Sequence, residues 1–486
     1  MDISKQTNYM KDFLPYGLAA FLVGIVGGLS TVLGPAFMLD MNLAYNNTTW
    51  SALSQAISTA ACAPILGKLV DIFGKRTTLL LGILIFTLGS ILSALSMSLF
   101  FLLIARFIVG IGTAAIAPTV MSQIITEFPP QQIGKGFSLY MLLSSIAVIF
   151  GPTLGGLILE VSNWRTLMWI SSILCVVFLF LCFFTLPKES FAYKPLKNFD
   201  FVGAFFVIVF FGLFLCVPSF GQNFGWTSTP FLLILALSLI TLTVLVITEK
   251  KAKNPILIGS FIARKAFLLP VIILFLTQGL MQANMTNTIV FLNYTHPTNT
   301  TISGYAISIM YIGMSLGSIL LGPLSDRFEP KRILTGSLLL TGLGCGTMFF
   351  FSTTTTFFLL AISLGILGLG LGGNATIFMK IVLSNLSSET AGTGTGIYGL
   401  FRDLAAPFGV AVFVPMFTNE ITRLSADTTL HLSTANVAVS SIHKLAMIEL
   451  ACVGVGIFIV QLLPKIHQTH HEFLFHVLHT SHQAFD

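Results

Sequence analysis

Charged residues are scarce in this sequence, 9% of 486, against roughly 25% in an ordinary soluble protein. A soluble globule of this size could not cover its surface with so few. No polar stretch is long enough to fold as a separate catalytic domain. No GxxxxGK[ST] loop is present, which leaves no phosphate cradle of that type. HExxH and GxSxG, the signatures of zinc peptidases and serine hydrolases, are also missing, and an enzyme is not expected. The six cysteines (Cys62, Cys175, Cys182, Cys216, Cys345, Cys452) lie inside apolar runs and form no CxxC pair. Neither a disulfide framework nor a metal site is expected from them. The net charge of +6 comes from Lys and Arg in short loops between apolar runs. In that setting the basic residues orient a membrane protein and do not mark a nucleic-acid surface.

What the sequence has instead is hydrophobicity, 55% of its residues. Apolar runs of about 20 residues, enough to cross a hydrocarbon core of about 30 Å, recur along nearly the whole chain. They place spanning helices over 13–39, 50–72, 77–98, 100–123, 135–160, 166–187, 199–219, 230–248, 267–292, 303–325, 331–352, 356–383, 392–417 and 443–464. These runs are continuously apolar rather than alternating, which excludes a β-barrel. The first is too long for a signal-peptide core. The fold class is therefore all-α, a polytopic membrane protein. With both termini inside, the inner loops collect Lys68, Lys75, Arg76, Lys250, Lys251, Arg264, Lys265, Arg327, Lys331 and Arg332, while the outer loops hold little beyond Arg165, Arg423 and Lys444. That asymmetry, with an even span count, puts both termini in the cytoplasm. The longest outer loop is 418–442. The tail carries His467, His470, His471, His476, His479 and His482 with no Cys and no regular spacing, and reads as a solvated or membrane-surface segment.

The chain also repeats itself. After the second run it reads Gly67-Lys-Leu-Val-Asp71-Ile-Phe-Gly-Lys75-Arg76; after the tenth, Gly322-Pro-Leu-Ser-Asp326-Arg327-Phe-Glu-Pro-Lys331-Arg332. Two copies in matching places imply two related halves of six helices, an arrangement found in transporters. The division is 1–190 for the first half, 191–255 for two linker helices, 256–465 for the second half and 466–486 for the tail. Each Asp ends a helix beside cations. It can pair with a neighbouring Lys or Arg, or with a helix N-terminus across the interface between halves, and so latch one conformation.

These loops resemble the signature of the major facilitator superfamily. Arg106-Phe-Ile-Val-Gly110-Ile-Gly112 in the fourth run is similar to that family's RxxxGxG motif. Gly151-Pro152-Thr-Leu-Gly155-Gly156 in the fifth resembles the motif associated with its antiporters, followed by Trp164-Arg165 as in drug exporters. Asn254-Pro255-Ile-Leu-Ile and Arg264-Lys-Ala-Phe267 resemble the lead-in to the ninth helix of the fourteen-helix drug:proton antiporters, the tetracycline and quaternary-ammonium exporter type. The resemblance implies a major facilitator fold and export of an amphipathic small molecule across a bacterial cell membrane. It implies a proton gradient as the drive, no cofactor, and partners limited to substrate, protons and lipid. A monomer is expected. Two departures stand out. Val26 occupies the position nine before Pro35 where the family often has Asp, the nearest acid being Asp40 near the outer end. Ile72 stands where Arg is common, and only the second copy keeps it, as Arg327. The alternative is a specific exporter or importer of a metabolite, lipid or siderophore on the same fold. A non-transporting receptor would need a soluble effector region.

Charge at mid-bilayer is costly and marks function by default. The candidates are Arg106, Arg402, Asp403, Glu449 and Asp40; Glu127 and Lys380 lie nearer the inner ends, where a long side chain can snorkel. Asp403 is the best proton carrier on chemistry, since burial and a nearby Arg act on its carboxyl in opposite directions. Consecutive helix positions point about 100° apart, so Arg402 either forms a static buried pair with Asp403 or takes an acid on another helix instead. Gly155 and Gly156 read as close-approach positions. Gly368-Leu-Gly370-Leu-Gly-Gly373 has GxGxxG spacing but no preceding strand, so it reads as helix packing and not a nucleotide loop. Gln278, Met281, Gln282 and Met285 share one helix face with Asn284 nearby, and flexible Met beside amides suits a broad substrate cavity.

Overall fold

The computed structural model describes residues 3–30, 33, 37, 45–186, 199–252, 254–257, 259–295, 301–383, 386, 390–426 and 433–463. Among them there is no strand. Fourteen long helices follow one another. In the first half these are α1 (Ile3–Ser30), α2 (Tyr45–Phe73), α3 (Lys75–Ala94), α4 (Leu99–Glu127), α5 (Ile133–Val161) and α6 (Trp164–Thr185). The linker helices are α7 (Phe201–Phe224) and α8 (Thr229–Lys251). The second half has α9 (Lys265–Thr295), α10 (Thr301–Arg327), α11 (Pro330–Thr347), α12 (Phe357–Leu383), α13 (Ala391–Ala426) and α14 (Thr434–Gln461). Among the described residues thirteen of these are long and apolar enough to cross a membrane. The remaining one, α13, is the helix that carries Arg402 and Asp403.

Short polar residues start several helices. Ser98, Asn163, Asp200, Ser228 and Ser433 each accept a backbone N–H three residues on, satisfying donors that have no partner inside the first turn. Gly74 makes the tight turn between α2 and α3 at φ 85°, a conformation costly for any residue with a Cβ. Pro330, where no N–H is needed, opens the matching helix α11.

The packing follows the sequence repeat. In the first half α1 lies on α5, α2 on α4, and α3 on α4 and α6; in the second, α9 lies on α13, α10 on α12, and α11 on α12 and α14. These are the same pairs counted from the start of each half. The halves meet through α2 against α13 and α5 against α10, again second helix against fifth in both directions. The linker helix α7 packs on α2 and α13, at the junction, and α8 packs on α7. Helix α8 leaves Leu232, Leu233, Leu237, Leu239 and Ile240 exposed, as a helix facing lipid does.

The glycines of α12 alternate between two neighbours. A Cβ at Gly368 or Gly372 would strike the backbone of Met310 or Met314 on α10; one at Gly370 would strike Thr341 on α11. Their GxGxxG spacing is thus a product of helix packing. One boundary differs from the hydropathy reading: α13 runs on to Ala426 instead of stopping near 417. Its extension is held by Glu420, which takes Arg423 one turn on at 2.6 Å and Lys444 of α14 at 2.7 Å. Polar residues that read as loop are stabilised as helix by this clamp.

Candidate functional site

Both repeated Asp residues reach across the interface between halves. Asp71, near the end of α2, accepts the N–H of Gly392 and that of Thr393, each at 2.7 Å, and the Thr393 hydroxyl at 2.5 Å. Asp326, at the end of α10, accepts the N–H of Gly134 and of Lys135, each at 3.0 Å. The acceptors thus cap the first turns of α13 and α5. The physical logic is the same twice: a helix N-terminus presents unpaired N–H groups and a positive dipole end, and an anion satisfies both. Asp326 has a cation as well, Lys380 of α12 at 2.7 Å, whose Nζ also donates to the Ser325 carbonyl.

The basic residues of the two motifs do other work. Lys75 pairs with Glu127 at 2.7 Å and donates to Thr126, while Arg76 donates to the Phe183 carbonyl at 3.0 Å. They brace α3 against α4 and α6 inside the first half. Arg332 pairs with Glu329 on an exposed turn, and Arg327 is exposed. Of the two partners open to the latch acids, a neighbouring Arg or Lys and a helix N-terminus across the interface, the N-terminus is the one seen at both. The helix N-termini hold them, and Asp326 takes a cation as well, Lys380, from a helix end where it read as snorkelling.

Glycines let the backbones meet beside each latch. A Cβ on Gly67 would strike the Gly392 carbonyl and the backbone of Gly396; one on Gly322 would strike Ser138 Oγ and lie 3.0 Å from the Gly134 carbonyl. Directly above the Gly67–Gly396 seam lies a cavity of about 170 Å³. Ala63 of α2 and Gly399 of α13, each one turn beyond the seam, line its base. Its walls come from α1, α2, α4 and α5 of one half and α13 of the other, and include Thr59, Thr113, Tyr140, Ser144, Arg402 and Asp403. The seam is its floor.

Arg402 and Asp403 pair with one another, Nε to Oδ1 at 2.8 Å, and Arg402 donates to the Tyr140 hydroxyl at 3.4 Å across the interface. Of the two partners left open for Arg402, it takes its sequence neighbour and not an acid on another helix. Its long side chain folds back around the helix far enough to overcome the 100° offset. Arg106 is buried at 4% exposure, donates to Gln55 Oε1 at 3.2 Å and to Met168 Sδ at 3.7 Å, and lies over the Phe37 ring. It does not line the cavity. Glu449 is buried inside the second half, away from it, and Asn284 donates to its Oε1 at 2.9 Å.

The face of α9 also lies elsewhere. None of Gln278, Met281, Gln282, Asn284 and Met285 lines the cavity between the halves. Asn284 serves Glu449, and Met285 Sδ accepts from the Tyr311 hydroxyl at 3.7 Å. In the antiporter-like motif a Cβ on Gly151 would meet Gly28 of α1 at 2.5 Å, so this glycine does allow close approach. Gly156 does not: nothing lies within 4 Å of where its Cβ would be. Gly155 is buried, and α5 is continuous through Pro152, whose side chain is outside those described. Asp40, Pro35 and the histidines of the tail also lie outside the described residues.

The comparisons with known proteins agree with this geometry. The family model described as Major Facilitator Superfamily matches residues 16–410. The multidrug resistance protein Stp of Mycobacterium tuberculosis is 24% identical over 459 residues, 94% of this chain and 84% of that one. The riboflavin transporter RibZ of Clostridioides difficile is 24% identical over 410 residues, 83% of this chain and 87% of that one. The crystal structure of the human organic anion transporter MFSD10 (TETRAN) superposes with a TM-score of 0.62 at 14% identity, covering 94% of this chain and 99% of that one.

Proposed function

This chain belongs to the Major Facilitator Superfamily, a family of membrane transporters, and from that premise we propose that it exports amphipathic small molecules in exchange for protons by alternating access. The observation that carries the reading is the cavity, shared between the halves, floored by their seam and walled by Arg402, Asp403 and Tyr140. At about 170 Å³ it is smaller than the roughly 300–1,000 Å³ of drug-sized sites. A substrate of that size therefore requires the halves to part.

The cycle runs as follows. With both latches made, the end that carries Asp71 and Asp326 is shut, and the charge asymmetry of the loops puts that end in the cytoplasm. Asp403 takes a proton from the opposite side. Neutralising it loosens its hold on Arg402 and alters the cross-interface contact with Tyr140. The halves then rock about the cavity, the latches break, the proton leaves to the cytoplasm and the substrate enters. The multidrug name of Stp supports an amphipathic cargo. The RibZ name, and Val26 in place of an acid in α1, favour a second reading in which the cargo is one metabolite.

The test is substrate-dependent proton movement in proteoliposomes of known orientation. An inside-acid gradient is imposed, a pH dye is followed, and ethidium, tetraphenylphosphonium, tetracycline and riboflavin are added in turn. Proton efflux with several compounds, lost in Asp403→Asn, is the expected result. Efflux with riboflavin alone selects the second reading. Substrate flux that ignores the gradient overturns proton exchange, and efflux that survives Asp403→Asn removes Asp403 from the carrier role.

A further inference from the structure

Inside the second half, where α9, α11 and α14 meet, the hydrogen-bond inventory is short by one proton. Glu449 is fully buried at 0% exposure and Asn284 at 1%. The Asn284 amide donates to the Leu280 carbonyl at 3.0 Å and to Glu449 Oε1 at 2.9 Å. By distance and angle each partner is left with one buried oxygen that has no hydrogen bond, Oε2 of Glu449 and Oδ1 of Asn284; the Cys345 thiol, a weak donor, lies beside the carboxyl but not beside the Asn284 oxygen. Both are acceptors. An ionised carboxylate has no donor to offer an amide oxygen, and leaving both atoms unpaired in a dry interior is costly.

The groups facing this carboxyl supply no compensating charge. They are the Asn284 amide of α9, the Cys345 thiol of α11 and Cys452 one turn along α14. No Lys, Arg or His is among them, and among the described residues no ion pair includes Glu449. A buried, unpaired carboxylate costs several kcal/mol even after relaxation. A neutral acid removes the charge and provides the missing donor in one step. An Oε2–H would complete an acid–amide ring with Asn284 Oδ1 while Asn284 Nδ2–H stays on Oε1.

We propose that Glu449 is a proton-binding site of the second half, occupied while the latches are closed and emptied when they open. The link to the latches is mechanical. Helix α9, which carries Asn284, packs along α13, the helix whose first turn Asp71 holds. A rocking of α13 draws α9 from α14, separates the ring and admits water, and the proton passes from Oε2 to that water. A role in coupling rests on the proton exchange proposed above; occupancy in the closed state does not.

Infrared spectroscopy of the purified full-length protein in ester-free detergent tests this at neutral pH. A protonated carboxyl gives a C=O stretch distinct from a carboxylate and moves when D2O replaces water. The expected result is a band that vanishes in Glu449→Gln, shifts in Asn284→Leu and persists in Asp403→Asn. It should weaken in Asp71→Ala protein whose opening is verified by cysteine labelling. Gln can form the same ring through its own amide, so Glu449→Gln keeps the packing. Spectra identical in wild type and Glu449→Gln overturn the proposal, and would do so even if substrate-driven proton movement had been established. An undiminished band in the opened protein overturns the link to the latches.

Discussion

Replacing Asp71 with Ala should open the latch end by a calculable amount. The carboxylate accepts two backbone N–H groups and one hydroxyl at the first turn of α13. A hydrogen bond to a charged group contributes about 1.5–3 kcal/mol, and the favourable helix end about 0.3–1 kcal/mol more. Water takes over as the partner of every group once the halves part, and Asp71 is half-exposed. The difference between closed and open states is therefore nearer ~1–3 kcal/mol in total. At 1.4 kcal/mol per factor of ten, the open population rises roughly five- to 150-fold. The assay is labelling of Thr113→Cys, which lines the cavity above the seam, in a background with the six native cysteines replaced. A membrane-impermeant maleimide is applied from the latch side. While opening and closing are fast, the labelling rate follows the open population. A rate unchanged or lowered in Asp71→Ala, in protein that elutes and melts like its parent, would refute the latch.

The second latch should respond more sharply. Asp326→Ala strands Lys380, whose side chain is 12% exposed, and removing one partner of a buried pair costs about 3–5 kcal/mol; the double variant Asp326→Ala/Lys380→Met should label more slowly than Asp326→Ala alone. Gly67→Val should abolish transport without loss of expression, because its side chain meets the Gly392 carbonyl and overpacking of this kind costs about 1–3 kcal/mol. Gly156→Ala, facing open space, should transport as wild type does. At the far end of α13, beyond the span, Lys444 and then Arg423 hold the Glu420 carboxyl below its usual range. A carboxyl depressed on folding stabilises above its unfolded value and ceases to do so as pH falls through the folded one. Glu420→Gln should thus lower the melting temperature slightly at neutral pH, by less than about 1 kcal/mol in free energy, and the difference should vanish in acid.

The spans were legible because hydropathy at bilayer length is a one-dimensional property. The repeat was legible because both copies keep Gly, Asp and Phe at matching places with a basic pair just after them. Together they marked Asp71 and Asp326 as latch acids and left two partners open for each, a neighbouring Lys or Arg and a helix N-terminus of the opposite half. What sequence could not supply was the identity of partners far apart in the chain. Lys380 meets Asp326 across 54 residues and Asn284 meets Glu449 across 165. A helical period shows that Gln278 and Met281 share a face with Asn284 near it, not which helix that face meets. The pairing of Arg402 with its own neighbour was left undecided for another reason. The 100° rule governs Cα–Cβ directions, and a side chain as long as Arg escapes it. Likewise, Gly156 looks like Gly151 on the page, and only the path of α1 distinguishes them.

The two latches share a geometry but not a relation to the cavity, and the difference bears on how the transporter turns over. Asp71 holds the first turn of α13 and Asp326 that of α5. The Asp71 closure is the one continuous with the cavity. From Gly396 in the seam to Arg402 is six residues along α13, about 9 Å of straight helix. A change of charge at Asp403 and a change of partner at Asp71 therefore act on opposite ends of one short rigid segment. The Asp326 closure has no such lever: α5 reaches the cavity through Tyr140 and Ser144, but neither carries a charge. Opening should begin at the Asp71 seam, with the Asp326 latch yielding second. Labelling of a cysteine beside Gly396 should then precede labelling of one beside Gly134 when the pH on the far side is lowered. The reverse order would place the trigger in α5 and α10 instead.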